Sequence, residues 1–382
     1  MKILHIISSC NPEGGGPIEG VKQFNYFYKK KSIHAEILCS DSPNAKFIKD
    51  KRLPKVNALG SGLLTYSYNP KLFKWLEKNI NKFDCIIVNG IWQYHAYAAW
   101  KIATRNKIPY YIFTHGMLDP WFNHTYKIKY LKKIIYWLLF QYRILRDAKN
   151  VFFTSTEEKI LARKSFKPYH VKEKVIGYGT KNIRYNFNNK NNLFRKKFSK
   201  ISEKKIILFL GRIAPKKGLE ILLPAFQNIN KDKVHLLIIG PYDINYKKKL
   251  TTLVNKLNLK NFVTFEKAIY GKLKWDTINS CNIFCLPSHQ ENFGISVVES
   301  LMCKKPVLIT NKVNIWREIK KANAGFVNND NIEGVTKNLK KWINMNKNEY
   351  KKISKNAYNC FENNFNLEKT SYKLINFIKA NK

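Results

Sequence analysis

Acidic residues are scarce in this chain of 382 residues. Only 26 Asp and Glu stand against 69 Lys and Arg, for a formal net charge of +43. So basic a surface attracts nucleic acid, anionic lipid or phosphorylated small molecules, and charge alone does not choose among them. No Asp-x-Asp occurs, so there is no evident carboxylate pair to hold a phosphate-bound Mg²⁺, and no metal or other cofactor is expected. The seven cysteines include no Cys-x-x-Cys pair. Cys85, Cys281 and Cys285 lie in or beside apolar runs where a thiol serves packing, and the odd count fits a reducing compartment. Long apolar runs are also missing. The amino-terminal MKILHIISSC is too short for a signal peptide and reads as a first strand, and Ile134–Leu145, interrupted by Gln141 and Arg143, falls short of a membrane span. A cytoplasmic protein is expected, peripheral at the inner face of the cytoplasmic membrane if its basic helix binds there. Helix-turn-helix, RNP and zinc patterns are absent, which argues against nucleic acid as the partner.

What is present is enough to fold. Hydrophobic residues make up 45% and aromatics 14% of a chain long enough for two domains. Apolar runs at Ile3–Ile7, Ala35–Cys39, Cys85–Val88, Tyr110–Phe113, Val151–Thr154 and Lys174–Ile176 alternate with helical patterns at Ile18–Lys29, Lys71–Ile80, Tyr94–Arg105 and Glu157–Phe166. This alternation predicts an α/β unit with a parallel sheet. The first strand runs into Pro12-Glu13-Gly14-Gly15-Gly16-Pro17, a turn that lets backbone approach a phosphate at a helix start. Its spacing is not the dinucleotide fingerprint. Thr114-His115-Gly116 follows the strand Tyr110–Phe113, placing His115 at a carboxyl end where ligands bind. Tyr126–Asp147 is a basic, aromatic helical pattern, suited either to an anionic membrane surface or to packing on the sheet. The Asn/Lys-rich stretch Lys181–Lys200 reads as a linker or an exposed segment.

The second half restarts the alternation with strands at Ile206–Leu210, Leu236–Ile239, Phe262–Phe265, Ile283–Leu286 and Val307–Ile309. After the first of these, Arg212 and Lys217 form a cationic clamp suited to a diphosphate. Leu286–Thr310 reads as strand end, loop, helix, turn and strand. Glu291 precedes the helix, and Glu299 follows it by roughly 12 Å of helical rise. Between them Phe293, Gly294 and Ile295 offer first-turn amides as an anion site. The last stretch, Ile332–Ile343 then Tyr350–Lys379, reads as helical throughout.

Gly14-Gly15-Gly16-Pro17, Thr114-His115-Gly116, Gly211-Arg212 with Lys216-Lys217-Gly218, and Glu291-Asn292-Phe293-Gly294 through Glu299 occur in this order. Together they resemble the family-4 retaining glycosyltransferases (glycosyl transferases group 1), and the last motif is that family's E-x7-E signature. The resemblance implies a GT-B fold: Rossmann-like domains over 1–180 and 181–360, a cleft between them, and a terminal helix in 361–382 returning to the first domain. It implies a UDP- or GDP-sugar donor. Gly15, Gly16, Arg212, Lys217, Phe293, Gly294 and Ile295 would hold its diphosphate, Glu299 its ribose, and His115 and Glu291 would serve the sugar as catalytic residues. HGMLDPW and the basic helix after it are similar to bacterial enzymes of O-antigen, capsule or exopolysaccharide synthesis. Their acceptors are saccharides, commonly linked to undecaprenyl diphosphate. Asn292 departs from the more frequent glycine of E-G-F-G. Rival readings are a GT-B-fold nucleotide-sugar epimerase, which needs no acceptor, and a basic polyanion- or nucleic-acid-binding protein, in which the two glutamates would have no role.

Overall fold

The computed structural model describes residues 1–125, 127–183 and 192–381. The chain divides into one unit of Met1–Lys181 with Leu367–Lys382, and another of Asn182–Asn366.

In the first unit the strands are β1 (Lys2–Ile7), β2 (His34–Cys39), β3 (Lys55–Ala58), β4 (Cys85–Asn89), β5 (Tyr110–Phe113), β6 (Asn150–Phe153) and β7 (Glu173–Val175). They pair in parallel in the order β3-β2-β1-β4-β5-β6-β7. Helices α1 (Gly16–Lys30), α2 (Pro70–Asn79), α3 (Tyr94–Arg105), α4 (Trp121–Thr125), α5 (Lys127–Tyr136), α6 (Tyr142–Arg146) and α7 (Thr156–Ala162) connect them. The middle strands are mostly apolar because both faces are covered, as in β4 with all five residues buried. Edge strand β3 is only half-buried, so its KVNA carries no apolar run that the sequence reading could detect.

The second unit contains α8 (Leu193–Lys197), β8 (Lys205–Leu210), α9 (Leu219–Gln227), β9 (Val234–Ile239), α10 (Ile244–Lys256), β10 (Val263–Glu266), α11 (Gly271–Ser280) and β11 (Ile283–Leu286). There follow α12 (Ile295–Met302), β12 (Val307–Thr310), α13 (Trp316–Lys321), β13 (Gly325–Asn328), α14 (Ile332–Ile343) and α15 (Lys347–Cys360). Its sheet is again parallel, in the order β10-β9-β8-β11-β12-β13. Edge strand β13 escaped the sequence reading for the same reason as β3, since it is half-buried throughout. Asparagine, abundant here, caps several helices: Asn331 accepts from Gly334 N–H, and Asn346 forms a capping box with Glu349.

Two expectations need correction. The linker expected over Lys181–Lys200 lies outside the described residues at 184–191, but 192–200 is folded. Asn192 caps α8, and Phe194 and Phe198, four apart, are both buried. The terminal stretch is not one helix: Phe361–Phe365 is a π-helical turn packed in the second unit, with Phe365 against Phe293 at 5.7 Å. The returning helix, α16 (Leu367–Ala380), starts at Leu367 rather than at residue 361. It packs on the first unit through Tyr372 against Phe27 (4.8 Å) and Phe377 against Phe152 (5.7 Å).

Candidate active site

In an open parallel sheet the crevice outside the carboxyl ends of the strands, where strand order reverses, is the usual ligand position. In the second unit that reversal lies between β8 and β11, and the loops leaving those strands carry the residues singled out above. Arg212 follows β8 and is exposed. Lys217 ends a 3-10 turn (Pro215–Lys217) closed by Gly218 at φ +68°. A Cβ on Gly218 would stand 2.0 Å from the Pro287 carbonyl oxygen. Only glycine therefore lets the Lys216-Lys217 turn sit against the loop leaving β11. The His289 amide donates to the Lys216 carbonyl oxygen (2.9 Å) and fastens the same two loops.

This close approach brings two expected residues into contact: Lys217 Nζ donates to Glu291 Oε2 in an ion pair that is mostly buried. Burial pushes the Glu291 carboxyl up. Lys217, Lys216 and the Phe293 amide outweigh it and hold the group below its ordinary range. Its backbone is fixed on both sides, the Glu291 amide on the Lys312 carbonyl and the Asn314 amide on the Glu291 carbonyl, each at 2.9 Å. Gly294 takes φ +74° ahead of α12, and no side chain caps that helix. Phe293 is buried on Phe365, and its amide serves Glu291. Glu299 is buried on α12, where Lys274 of α11 donates to it at 2.5 Å. Glu291 and Glu299 thus both have lysine partners.

A further network braces these loops. His289 bridges Glu220 (Nε2, 2.6 Å) and Asp330 (Nδ1, 3.1 Å), and Tyr246 donates to Glu220 at 2.6 Å. The Glu220 bond, reinforced by Asp330, raises the His289 pKa against the opposing effect of burial.

In the first unit, the Gly15–Gly16 turn follows β1 and opens α1. Gly15 adopts φ +80°, while a Cβ at Gly16 would meet nothing within 4 Å. Packing therefore does not require glycine at 16, and room for a ligand's approach is one reason left. His115 follows β5 at φ +48°. Burial lowers its pKa to about 3, so the imidazole is neutral near pH 7. Its Nε2 lies 3.3 Å from Asn89 Oδ1, an acceptor, so Nε2 carries the hydrogen and Nδ1 is left as acceptor. Asn89 Nδ2 continues to His5 Nδ1 (3.3 Å), and His5 Nε2 to the Tyr28 hydroxyl (3.3 Å). Glu158, buried on α7, locks the turn. It accepts from Thr114 Oγ1 (2.7 Å), the Gly116 amide (2.5 Å), the Thr154 amide (2.7 Å) and Thr154 Oγ1 (2.6 Å). Tyr178 links both elements, with its ring 6.0 Å from His115 and its hydroxyl donating to the Gly16 carbonyl at 3.0 Å.

Gly15, Gly16, His115, Arg212, Lys217, Glu291, Phe293, Gly294, Ile295 and Glu299 stand out in the sequence, whereas Lys274, His289, Glu220, Asp330, Asn89 and Glu158 were missed. One of these had a signal. Ser155-x-x-Glu158 is a capping-box spacing, and Ser155 does accept from the Glu158 amide (3.1 Å). The glutamate then turns to Thr114 and Gly116 instead. The others are single residues from distant segments, unmarked among many lysines and asparagines.

A cavity of about 1130 Å³, lined among others by Met302, Lys304, Tyr350, Lys351 and Lys355, includes neither Lys217 nor Glu291. It reaches α12 at the end opposite the glutamate loop.

Residues 190–360 match the family described as glycosyl transferases group 1. Among curated relatives, a probable sucrose-phosphate synthase of Thermosipho melanesiensis is 26% identical over 187 residues, 48% of this chain and 42% of its own length. A capsular polysaccharide biosynthesis glycosyltransferase of Staphylococcus aureus is 26% identical over 176 residues, 44% of this chain and 46% of its own. The matched segment thus spans less than half of these relatives. Anabaena HepE, solved in complex with UDP and glucose, is similar over 100% of both chains with a TM-score of 0.78 at 17% identity. The chain has the GT-B fold, and over residues 190–360 it is similar to the glycosyl transferases group 1 family.

Proposed function

We propose that the chain is a retaining, metal-independent glycosyltransferase that moves a hexose-type sugar from a UDP- or GDP-sugar to a saccharide or lipid-diphosphate-linked saccharide in bacterial surface polysaccharide synthesis. The observation that carries this reading is the convergence at the β8/β11 strand ends of Lys217, Glu291 and the uncapped start of α12. UDP in the similar Anabaena structure and the capsular role of the Staphylococcus relative support the choice of donor class and pathway.

In this reading the lysine–glutamate pairs exchange partners when the donor binds. The donor diphosphate draws Lys217 and Arg212 to its oxygens, which frees Glu291 to accept from sugar hydroxyls. Ribose hydroxyls replace Lys274 on Glu299. As the bond from the sugar's anomeric carbon to the diphosphate oxygen breaks, negative charge grows on the diphosphate. Both cations and a helix N-terminus stabilise it as it develops, the duty that a divalent metal has elsewhere. The acceptor oxygen bonds to the anomeric carbon on the same face, and its proton passes to the departing phosphate oxygen. His115, neutral with Nδ1 as acceptor, is a hydrogen-bonding group in this scheme rather than a general acid.

The test is incubation of the purified protein with UDP- and GDP-sugars and saccharide acceptors, with and without EDTA, reading products by mass spectrometry. Acceptor-dependent glycoside of retained anomeric configuration, indifferent to EDTA, supports the proposal. A donor-only epimerised product, or a requirement for added metal, contradicts it.

A further inference from the structure

Helix α5, the π-helical turn Trp137–Gln141 and α6 form one continuous helical segment with two apolar faces. One is explained by the fold: Trp137, Ile144 and Leu145 are fully buried, and Tyr130 and Ile134 pack on the same core. The other is not. Ile128 is 80% exposed, and Leu131, Ile135, Leu138 and Leu139 are each more than half exposed. Their spacing of i, i+3, i+7, i+10 and i+11 aligns them in a single stripe. Tyr126, which begins the stretch singled out in the sequence, lies outside the described residues.

A second element adds to this stripe. Leu63 and Tyr68 close a tight hairpin by exchanging backbone bonds (2.9 and 3.0 Å). Leu64 sits at its tip with φ +57° and 92% exposure. A leucine in left-handed backbone, turned wholly to water, carries two costs and no internal compensation. The hairpin adjoins the helix: the Tyr66 and Tyr136 hydroxyls are 3.1 Å apart. Tyr68–Tyr94 (4.8 Å), Tyr94–Tyr97 (6.0 Å) and Tyr97–Phe140 (5.7 Å) continue a tyrosine-rich seam between the two elements. The exposed leucines of both elements thus border a seam of aromatic side chains of the kind found at membrane interfaces.

Charge selects what covers it. Neither residues 59–76 nor residues 127–146 contain an acid. Lys127, Lys129 and Lys132 are exposed alongside the stripe, and Lys101, exposed on α3 with its ammonium 6.0 Å from the Tyr97 ring, lies beside the seam. No helix among the described residues is long and apolar enough to cross a membrane. We propose that the Leu63-Leu64 hairpin tip and the Ile128/Leu131/Ile135/Leu138/Leu139 stripe together insert into the outer layer of an anionic lipid bilayer, with the flanking lysines on the headgroups. Two separated elements fix orientation as well as attachment, which a single amphipathic helix does not.

This surface is independent of the proposed reaction, so its test needs no donor. The full chain is co-sedimented with vesicles of phosphatidylglycerol and phosphatidylcholine in equal parts, and with phosphatidylcholine alone, at low salt. Binding is expected to the anionic vesicles and to be weak to the neutral ones. Leu64→Ser, and separately Leu131→Ser with Ile135→Ser, should each weaken partitioning about tenfold or more, because each removes buried side-chain transfer energy. Lys127→Gln with Lys132→Gln should lower binding to anionic vesicles alone. All these positions are exposed, so an unchanged melting temperature verifies the fold of each variant. Failure of the wild-type chain to bind anionic vesicles overturns the proposal. So does undiminished binding by the leucine variants, or a concentration-dependent dimer that they abolish, which would mean that a second copy covers the surface.

Discussion

Replacing Lys217 with alanine perturbs the proposed site at two levels that can be measured apart. Its ammonium is the ion-pair partner of Glu291, with the two side chains 17% and 18% exposed. Removing one member of a mostly buried pair leaves an uncompensated carboxylate, a loss of up to about 3–5 kcal/mol. Lys216 and the Phe293 amide still act on Glu291, so the lower part of a range of about 1–3 kcal/mol is expected. For a domain of this size that lowers Tm by roughly 2–4 °C per kcal/mol. The catalytic effect is separate. If Lys217 stabilises charge on the departing diphosphate, its loss costs on the order of 10²–10³ in kcat, as for one oxyanion-hole donor. The assay is turnover at saturating donor, at a temperature where circular dichroism shows the variant folded. Lys217→Met with Glu291→Gln removes both charges, so it should recover stability but not turnover. Turnover by Lys217→Ala equal to that of the wild-type chain at saturating donor would refute the cationic clamp.

Other outcomes follow from neighbouring contacts. Glu158→Gln turns one acceptor oxygen into a donor facing two donors of the His115 turn or of Thr154, and should destabilise the first unit by about 2–3 kcal/mol, read by denaturant titration; unchanged stability would remove the clamp. The raised His289 pKa means that its stabilising charge is fully present below the ordinary value of 6.5 and is lost as pH rises through the folded value above it. Thermal stability should therefore fall on the alkaline side of that window, and His289→Gln should flatten the fall. Because the His115 pKa lies near 3, kcat/KM should show no limb near neutrality that His115→Asn abolishes. A neutral-pH limb lost in that variant would make His115 a titrating acid or base after all.

The parallel architecture was legible because buried strands hold unbroken apolar runs, such as Cys85–Val88 in β4 and Ile283–Leu286 in β11, that differ plainly from the helices between them. Legibility failed at two of the four edge strands. β3 and β13 gain their pairing from a neighbour's backbone, which leaves little mark on their own side chains. Helix α8 was missed because Phe194 and the Phe198 that follows the helix are outnumbered by surrounding lysine and asparagine. At the site, the residues that could be read were those tied to local chemistry: glycines at turns, cations after a strand, glutamates around a helix start. That Lys217 would reach Glu291 depends on Gly218 packing against Pro287, and that Lys274 would reach Glu299 depends on how α11 and α12 pack. Those are tertiary facts with no local signature. The basic helix showed apolar residues nearly all round in sequence. Only the structure separates the face that the core uses from the face that it does not.

The central claim is that Arg212, Lys217 and Glu299 hold a nucleoside diphosphate, and calorimetric titration of UDP and of GDP into the metal-free protein tests it most directly. Saturable binding of at least one of them, weakened at least about tenfold by Glu299→Ala through the ribose and by Lys217→Ala through the diphosphate, is the predicted result. Absence of binding by either nucleotide, or binding that both substitutions leave unchanged, would contradict it.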